Sequence, residues 1–205
     1  MKEIEKIIMV IMLTVVCLGT AEVNALIFND GGTHTIDWTI DQPVSVEDSP
    51  GGDFTTLNLV EGGSITWWLN ALDNSKINIF GGAIQDDLWT YHYSQTTISA
   101  GSITDDLNAS NDSVVFISGG SIGDQIVATD ASQINILGSN FEIDGVPVGY
   151  GEISVTSGLL TGTLENGIDI INNNFYIDPD ASIFLVPEPS TLLMLGAGCL
   201  IFRTC

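Results

Sequence analysis

The feature of this sequence that most constrains its fold is a 19-residue repeat through the middle of the chain. Serine recurs at that step at positions 75, 94, 113 and 132. Apolar residues keep the same step in three columns, which hold Ile79, Ile98, Ile117 and Ile136; Ile65, Ile84, Ile103, Ile122 and Phe141; and Leu69, Leu88, Leu107 and Ile126. Self-similarity of this length is typical of solenoids, in which each repeat buries its apolar face only against its neighbours.

Within each repeat the apolar residues alternate, as at Ile77 and Ile79, and glycine pairs such as Gly81-Gly82 supply turns. Alternation is the period of a strand, and no helical spacing of apolar residues occurs between Leu26 and Val186. The sequence therefore predicts an all-β chain that forms one parallel β-solenoid, with 19-residue coils about 4.8 Å apart. We expect regular repeats over about 56–144 and irregular capping strands at both ends, at 34–46 and at 150–155, 159–164 and 175–186.

The N-terminal 25 residues have the pattern of a signal peptide. Lys2 and Lys6 precede an apolar run from Ile7 to Gly19, and Val23-Asn24-Ala25 follows. The run is shorter than the roughly 20 apolar residues that span a bilayer. We therefore expect a signal peptidase to cut after Ala25, so that the mature chain begins at Leu26.

The C-terminus combines a Pro-Glu-Pro triplet, Pro187, Glu188 and Pro189, with an apolar run from Leu192 to Phe202 and a final Arg203. Prolines keep the backbone extended and free of regular hydrogen bonding, so the triplet should be an accessible peptide. This end resembles the PEP-CTERM sorting signal, which exosortase enzymes read in Gram-negative bacteria that make extracellular polysaccharide. The resemblance implies that residues 187–205 are a sorting tail, that the triplet is its recognition element, and that the tail contacts the membrane before processing. The family tail usually ends in several basic residues, where this chain has Arg203 alone.

The charge of the chain excludes several partners. Its formal net charge is −22, and Lys76 is the only basic residue of the predicted body at 26–186. Such a surface repels nucleic acid and anionic lipid and suits cations. All three cysteines lie in the end segments, so the body has no internal disulfide and depends on a packed core.

Asp86, Asp105 and Asp124 form an acidic column at the same step of 19. Stacked coils would place these carboxylates about 5 Å apart, where two charges repel by about 3 kcal/mol at an effective dielectric of 20. Buried and unpaired they would be too costly, so the chain must bend here and expose them. The column is either a solvated acidic turn or a Ca²⁺ site, the one cofactor that the sequence suggests. A carboxylate pair at this spacing, Asp86 and Asp105, also fits a retaining glycosidase.

Aromatic residues surround the acidic column. Trp67 and Trp68 occupy it one coil earlier, and Trp89, Tyr91 and Tyr93 follow Asp86. If exposed on one side these rings would stack against sugars; the alternative is that they pack on the cap or on each other. The two histidines, His34 and His92, lie far apart outside any metal-ligand spacing, and we interpret both as solvated loop residues.

These patterns predict an exported, non-enzymatic structural or interaction protein of the bacterial cell surface or extracellular polysaccharide matrix. Its partners would be a signal peptidase, an exosortase-type sorting enzyme and an extracellular polysaccharide. Two alternatives remain open. One is a carbohydrate-binding solenoid that uses the aromatic residues, and the other is a polysaccharide-degrading β-helix enzyme, a glycoside hydrolase or lyase.

Overall fold

Twenty strands and no helix make up residues 24–188, the part of the chain that the computed structural model describes. They stack as a parallel β-solenoid of about six turns. In chain order the strands are β1 (Leu26–Phe28), β2 (Thr33–Ile36), β3 (Thr39–Ile40), β4 (Val44–Val46), β5 (Thr56–Leu59), β6 (Ser64–Ile65), β7 (Leu69–Ala71), β8 (Lys76–Ile84), β9 (Leu88–Thr90), β10 (Gln95–Ile103), β11 (Leu107–Ala109), β12 (Val114–Ile117), β13 (Ser121–Ile122), β14 (Gln125–Ala128), β15 (Gln133–Ile143), β16 (Val146–Pro147), β17 (Gly151–Glu152), β18 (Ser157–Leu164), β19 (Ile170–Ile177) and β20 (Ser182–Pro187).

Each coil contributes to three parallel ladders along the axis. The first ladder runs through β2, β5, β8, β10, β12, β15 and β20. The second joins β3, β6, the ends of β8 and β10, and β13. The third runs through β1, β4, β7, β9, β11, β14 and β19.

The strand register confirms the columns read from the sequence. Ile98 pairs with Ile79 on one side and with Ile117 on the other, and Leu107 pairs likewise with Leu88 and Ile126. All five of these side chains are buried in one continuous apolar core. Because every inward column is apolar or small, each coil buries its face against the next, as the solenoid interpretation requires.

Two kinds of turn residue close each coil. A glycine in the left-handed region stands between the first and second ladders, as at Gly101, whose φ is +84°. A Cβ there would lie 2.7 Å from the Gly81 carbonyl oxygen, so both conformation and close packing require glycine. Between the third and first ladders the left-handed position is held by Asp73, His92, Asn111 and Asp130. His92 is thus an exposed turn residue, as expected.

The recurring serines follow these second turns and point into the body. Ser75, Ser94, Ser113 and Ser132 are all buried, and the backbone N–H of each donates to the carbonyl three residues earlier. The four hydroxyls differ in their partners. Ser113 lies within hydrogen-bond distance of Thr90, while the hydroxyls of Ser75 and Ser94 have no partner within residues 24–188.

The N-terminal strands predicted at 34–46 are present, and they also join the parallel ladders. Their coils are less regular, since Val44 pairs with Leu69 at a step of 25 residues. His34 corrects our interpretation of a solvated loop residue. It lies in β2 opposite buried Leu57, its ring centroid is 4.6 Å from that of Phe28, and its Nε2 lies 2.8 Å from an oxygen of Asp30. His34 therefore helps to cover the N-terminal end of the core.

The C-terminal end is closed by antiparallel strands. The second half of β15 pairs with β18, which pairs in turn with β19. After this excursion β19 and β20 return to the parallel ladders, where Gln133 pairs with Ser182 at a step of 49 residues. Within residues 24–188 there is no helix of the length and apolarity that crossing a membrane would need.

Candidate functional site

The acidic column lies at the corner between the second and third ladders. The chain bends at residues 85 and 86, as charge exposure requires, and then enters β9. Asp86, Asp87 and Asp105 each place one carboxylate oxygen within 4.8 Å of the other two. Such a group offers oxygen ligands of the kind that Ca²⁺ binds. Asp124, which the sequence grouped with Asp86 and Asp105, is exposed and is not part of this group of three.

Asp87 is the residue of this corner that our site prediction missed. Its Oδ1 accepts the backbone N–H of Asp106 at 3.0 Å, and Asp106 repeats the arrangement by accepting the N–H of Gln125 at 2.9 Å. These carboxylates therefore satisfy backbone donors of the next coil. The signal was the step of 19 between the two aspartates, which alone does not distinguish a structural carboxylate from a ligand.

Charge accumulates at this corner without a cation beside it. Partial burial raises the pKa of the Asp106 carboxyl above its ordinary value, the hydrogen bond from Gln125 opposes this, and the charges of Asp87, Asp124 and Asp105 add to the rise. Burial is the first cause, because it disfavours the charged form. The corner is thus a place where a cation or a proton would relieve electrostatic strain.

The aromatic pair Trp89 and Tyr91 adjoins the acidic corner through Asp87. The two rings are parallel within 5° at a centroid distance of 5.8 Å. The Trp89 Nε1–H donates to Asp87 Oδ2 at 3.2 Å. Burial, followed by the charge of Asp87, raises the pKa of the Tyr91 hydroxyl. One carboxylate therefore joins the acidic group to a stacked pair of rings.

The other predicted aromatic residues stand apart from that pair. Trp67 and Trp68 contact each other edge to face, with centroids 5.8 Å apart, just before β7. Tyr93 lies in the turn after Tyr91 and is 63% exposed. The five residues are thus two half-buried pairs on successive coils and one exposed ring, with no single continuous row.

A second polar and apolar feature lies at the C-terminal end. A cleft of about 580 Å³ opens between the turn after β15 and the strand β17, away from the acidic corner. Its lining is largely apolar, with Ile143, Val146, Val148 and Tyr150 on one side and Leu185 of β20 at its base. The sequence analysis did not anticipate this cleft, because its walls come from the irregular segment after the repeats.

The sorting triplet begins inside the folded body. Pro187 is the last residue of β20 and pairs with Gly138 of β15. The Ser139 hydroxyl donates to Glu188 Oε1 at 3.1 Å. Pro189, the apolar run and Arg203 lie outside the described residues, as do the signal segment through Val23 and its predicted membrane contacts.

Comparison with known proteins bears on this end of the chain. The model of the PEP-CTERM protein-sorting motif matches residues 185–204. No curated protein and no solved structure matches the chain. The match covers the predicted triplet and the apolar run, and it starts within β20. The chain therefore carries a PEP-CTERM protein-sorting motif, which marks it as an exported protein that an exosortase-type enzyme sorts to the cell envelope.

Proposed function

We propose that the chain is a non-enzymatic structural or interaction component of the cell surface or the extracellular polysaccharide matrix. The observation that supports this most directly is the continuity of the first ladder into the sorting motif, through the pairing of Pro187 with Gly138. The sorted cargo is then the solenoid itself, with no second folded unit between it and the tail within residues 24–188.

The surface of the solenoid fits a role outside the cell. Lys76 is the only lysine or arginine between residues 24 and 188, against more than twenty carboxylates. Outward positions also carry polar ladders, as where Asn78 Nδ2 donates to Asn58 Oδ1 at 2.9 Å. A rigid, strongly acidic rod remains dispersed by charge repulsion and attracts divalent cations that bridge acidic matrix polymers.

The test compares the full chain with a version that ends at Val186, both produced in a sorting-competent bacterium. We expect the full chain in the envelope and matrix fractions and the shortened chain in the medium. A Glu188→Ala variant serves as a point control for the triplet. Equal distribution of all three would contradict a matrix role that depends on the tail.

Carbohydrate binding is the second candidate, and the parallel stack of Trp89 on Tyr91 favours it. Pyranose rings stack their apolar faces on aromatic rings while their hydroxyls bond to nearby carboxylates. Asp87 lies beside Trp89 in the orientation that such a site requires, since its Oδ2 already accepts the indole N–H. We therefore propose Trp89, Tyr91 and Asp87 as the sugar-contacting group, with Trp67 and Trp68 on the preceding coil.

Co-sedimentation with purified extracellular polysaccharide tests this candidate. Trp89→Ala should weaken binding at least tenfold, about 1.4 kcal/mol. Trp38→Ala is the matched control, because Trp38 is 52% exposed on the N-terminal coil and outside the group. Unchanged binding by Trp89→Ala would exclude this site. Release of new reducing ends that is lost in Asp86→Asn and Asp105→Asn would instead support the degrading enzyme.

A further inference from the structure

The sorting motif and the folded body overlap in β20. The matched motif starts at Leu185, which is buried in the core, and it continues through Pro187 and Glu188. Leu185 and Pro187 pair with Ile136 and Gly138 of β15. The triplet is therefore joined to the body by backbone pairing at its first residue and by the bond from Ser139 at its second.

The part of β15 that holds the triplet is itself fixed on its other side. Gly138 pairs with Leu164 of β18, and Ser139 pairs with Thr163. A Cβ on Gly138 would lie 2.2 Å from the Thr163 carbonyl oxygen, so the strands approach closely there. Ser139 consequently presents its hydroxyl to Glu188 from an interior strand with partners on both sides.

The contacts at this point are the ones that a sorting enzyme would need. An enzyme that reads Pro-Glu-Pro must bind the Glu188 carboxylate and the extended backbone around it. In the structure one carboxylate oxygen is occupied by Ser139, and the preceding backbone belongs to the ladder. Pro187 has no N–H to give to that ladder, so opening should start there.

We propose that Ser139 and the adjoining end of β15 form a latch that holds the sorting triplet on the body, and that the tail is processed only when the end of β20 opens. Ser139 is then a positioning residue for the sorting reaction, which it regulates by its hold on Glu188. The inference rests on the sorting function of the tail, and its first test does not need the sorting enzyme.

The first test measures hydrogen exchange at the backbone amides of residues 182–188 in the full chain, purified in detergent. Ser139→Ala should speed exchange at Val186 and Glu188 up to about tenfold, as expected for loss of one hydrogen bond to a charged group. Ser121→Ala is the matched control, because Ser121 is an exposed serine on β13 and should leave these rates unchanged. Identical rates in all three proteins would overturn the latch.

The second test follows tail removal in a sorting-competent bacterium. Leu137 and Val186 are paired across β15 and β20, and adjacent strands bring Cα atoms within disulfide range. In a Cys199→Ser and Cys205→Ser background, Leu137→Cys with Val186→Cys should stop tail removal until a reductant is added, whereas Leu137→Cys alone should not. Ser139→Ala should accelerate it several-fold.

The outcomes separate the latch from the sorting assignment. Tail removal at the wild-type rate from the oxidised double-cysteine protein would overturn the latch. A wild-type tail that is never processed would contradict the sorting assignment instead, and the exchange rates of Ser139→Ala would still decide whether the latch exists.

Discussion

The backbone N–H of Asp106 donates to the carboxylate of Asp87, one coil earlier, at 3.0 Å. A repeat of 19 residues thus places a side chain beside the main chain of its own successor, and the next coil repeats this with Gln125. The arrangement stabilises the corner and at the same time concentrates negative charge there. Its consequences can be measured.

Replacing Asp106 by Asn should change how stability depends on pH. Burial raises the pKa of folded Asp106 above 3.8, its ordinary value, so the folded chain binds this proton more tightly than the unfolded chain does. The contribution of Asp106 to stability is therefore best below pH 3.8 and falls as pH rises through the raised value. We expect Asp106→Asn to raise the Tm at pH 7 and to leave it nearly unchanged below pH 3.8.

The control for this prediction is Asp124→Asn, which removes the same charge from the same corner. Asp124 is exposed, so its replacement should give a smaller difference between the two pH values. Differential scanning calorimetry at matched ionic strength measures both proteins. A pH dependence shared equally by the two variants would mean that the net charge of the corner, and not the burial of Asp106, sets the effect.

Calcium binding predicts a specific thermal stabilisation. If Asp86, Asp87 and Asp105 hold Ca²⁺, a concentration one hundredfold above the dissociation constant should add about 2.7 kcal/mol, which raises the Tm by about 5–10 °C. MgCl₂ and NaCl at equal ionic strength should do less. Asp86→Asn and Asp105→Asn should abolish the rise and Asp124→Asn should retain it. A rise that persists in Asp86→Asn would assign the effect to the general negative charge.

Gly101 should be among the least replaceable residues of the body. Gly101→Ala adds left-handed strain of roughly 1–2 kcal/mol and an overpacking cost of about 1–3 kcal/mol, since the new Cβ meets the Gly81 carbonyl oxygen at 2.7 Å. Gly145→Ala is the matched control, because Gly145 has a φ of +75° with no atom within 4 Å of its Cβ. It should show the strain alone. Urea unfolding compares the two, and equal losses would show that the close packing costs nothing.

The buried serines should differ although they occupy one column. Ser113→Ala should cost about 1 kcal/mol, because Ser113 lies 3.2 Å from both the Thr90 hydroxyl and the Ser110 N–H. Ser94→Ala should be neutral or stabilising, since the Ser94 hydroxyl is buried with no partner within residues 24–188. Denaturant unfolding of both variants checks the order. A larger loss for Ser94→Ala would indicate that an ordered water satisfies its hydroxyl.

The sequence was sufficient for the coil and its register, because a strict step of 19 forces equivalent residues into contact. Ile79, Ile98 and Ile117 stack as the step requires. It was insufficient where contacts join unlike positions. The coil that pairs Val44 with Leu69 contains an insertion, and no repeat announces it. His34 pairs with Leu57 at the end of the core, although its composition and surroundings suggested a loop.

The candidate sites divide in the same way. The bend at Asp86 followed from the cost of burying charge, and the proximity of Asp86 to Asp105 followed from the step. The role of Asp87 depends on which carboxylate oxygen meets which backbone N–H, and that is a matter of angstroms that residue spacing does not resolve. The hold of Ser139 on Glu188 links residues 49 apart, after the repeat has ended.

The ladders run from β1 at one end of the solenoid to β20 at the other, with about six turns between them. At about 4.8 Å per turn the two ends are separated by about 3 nm. Since the sorting motif leaves from the last turn, a chain held by its tail would stand upright on the envelope. Each coil then has its own altitude, with the acidic corner at mid-height and the Phe28–His34 contact at the summit. A side chain moved by 19 residues along the sequence would keep its bearing and change only its distance from the cell.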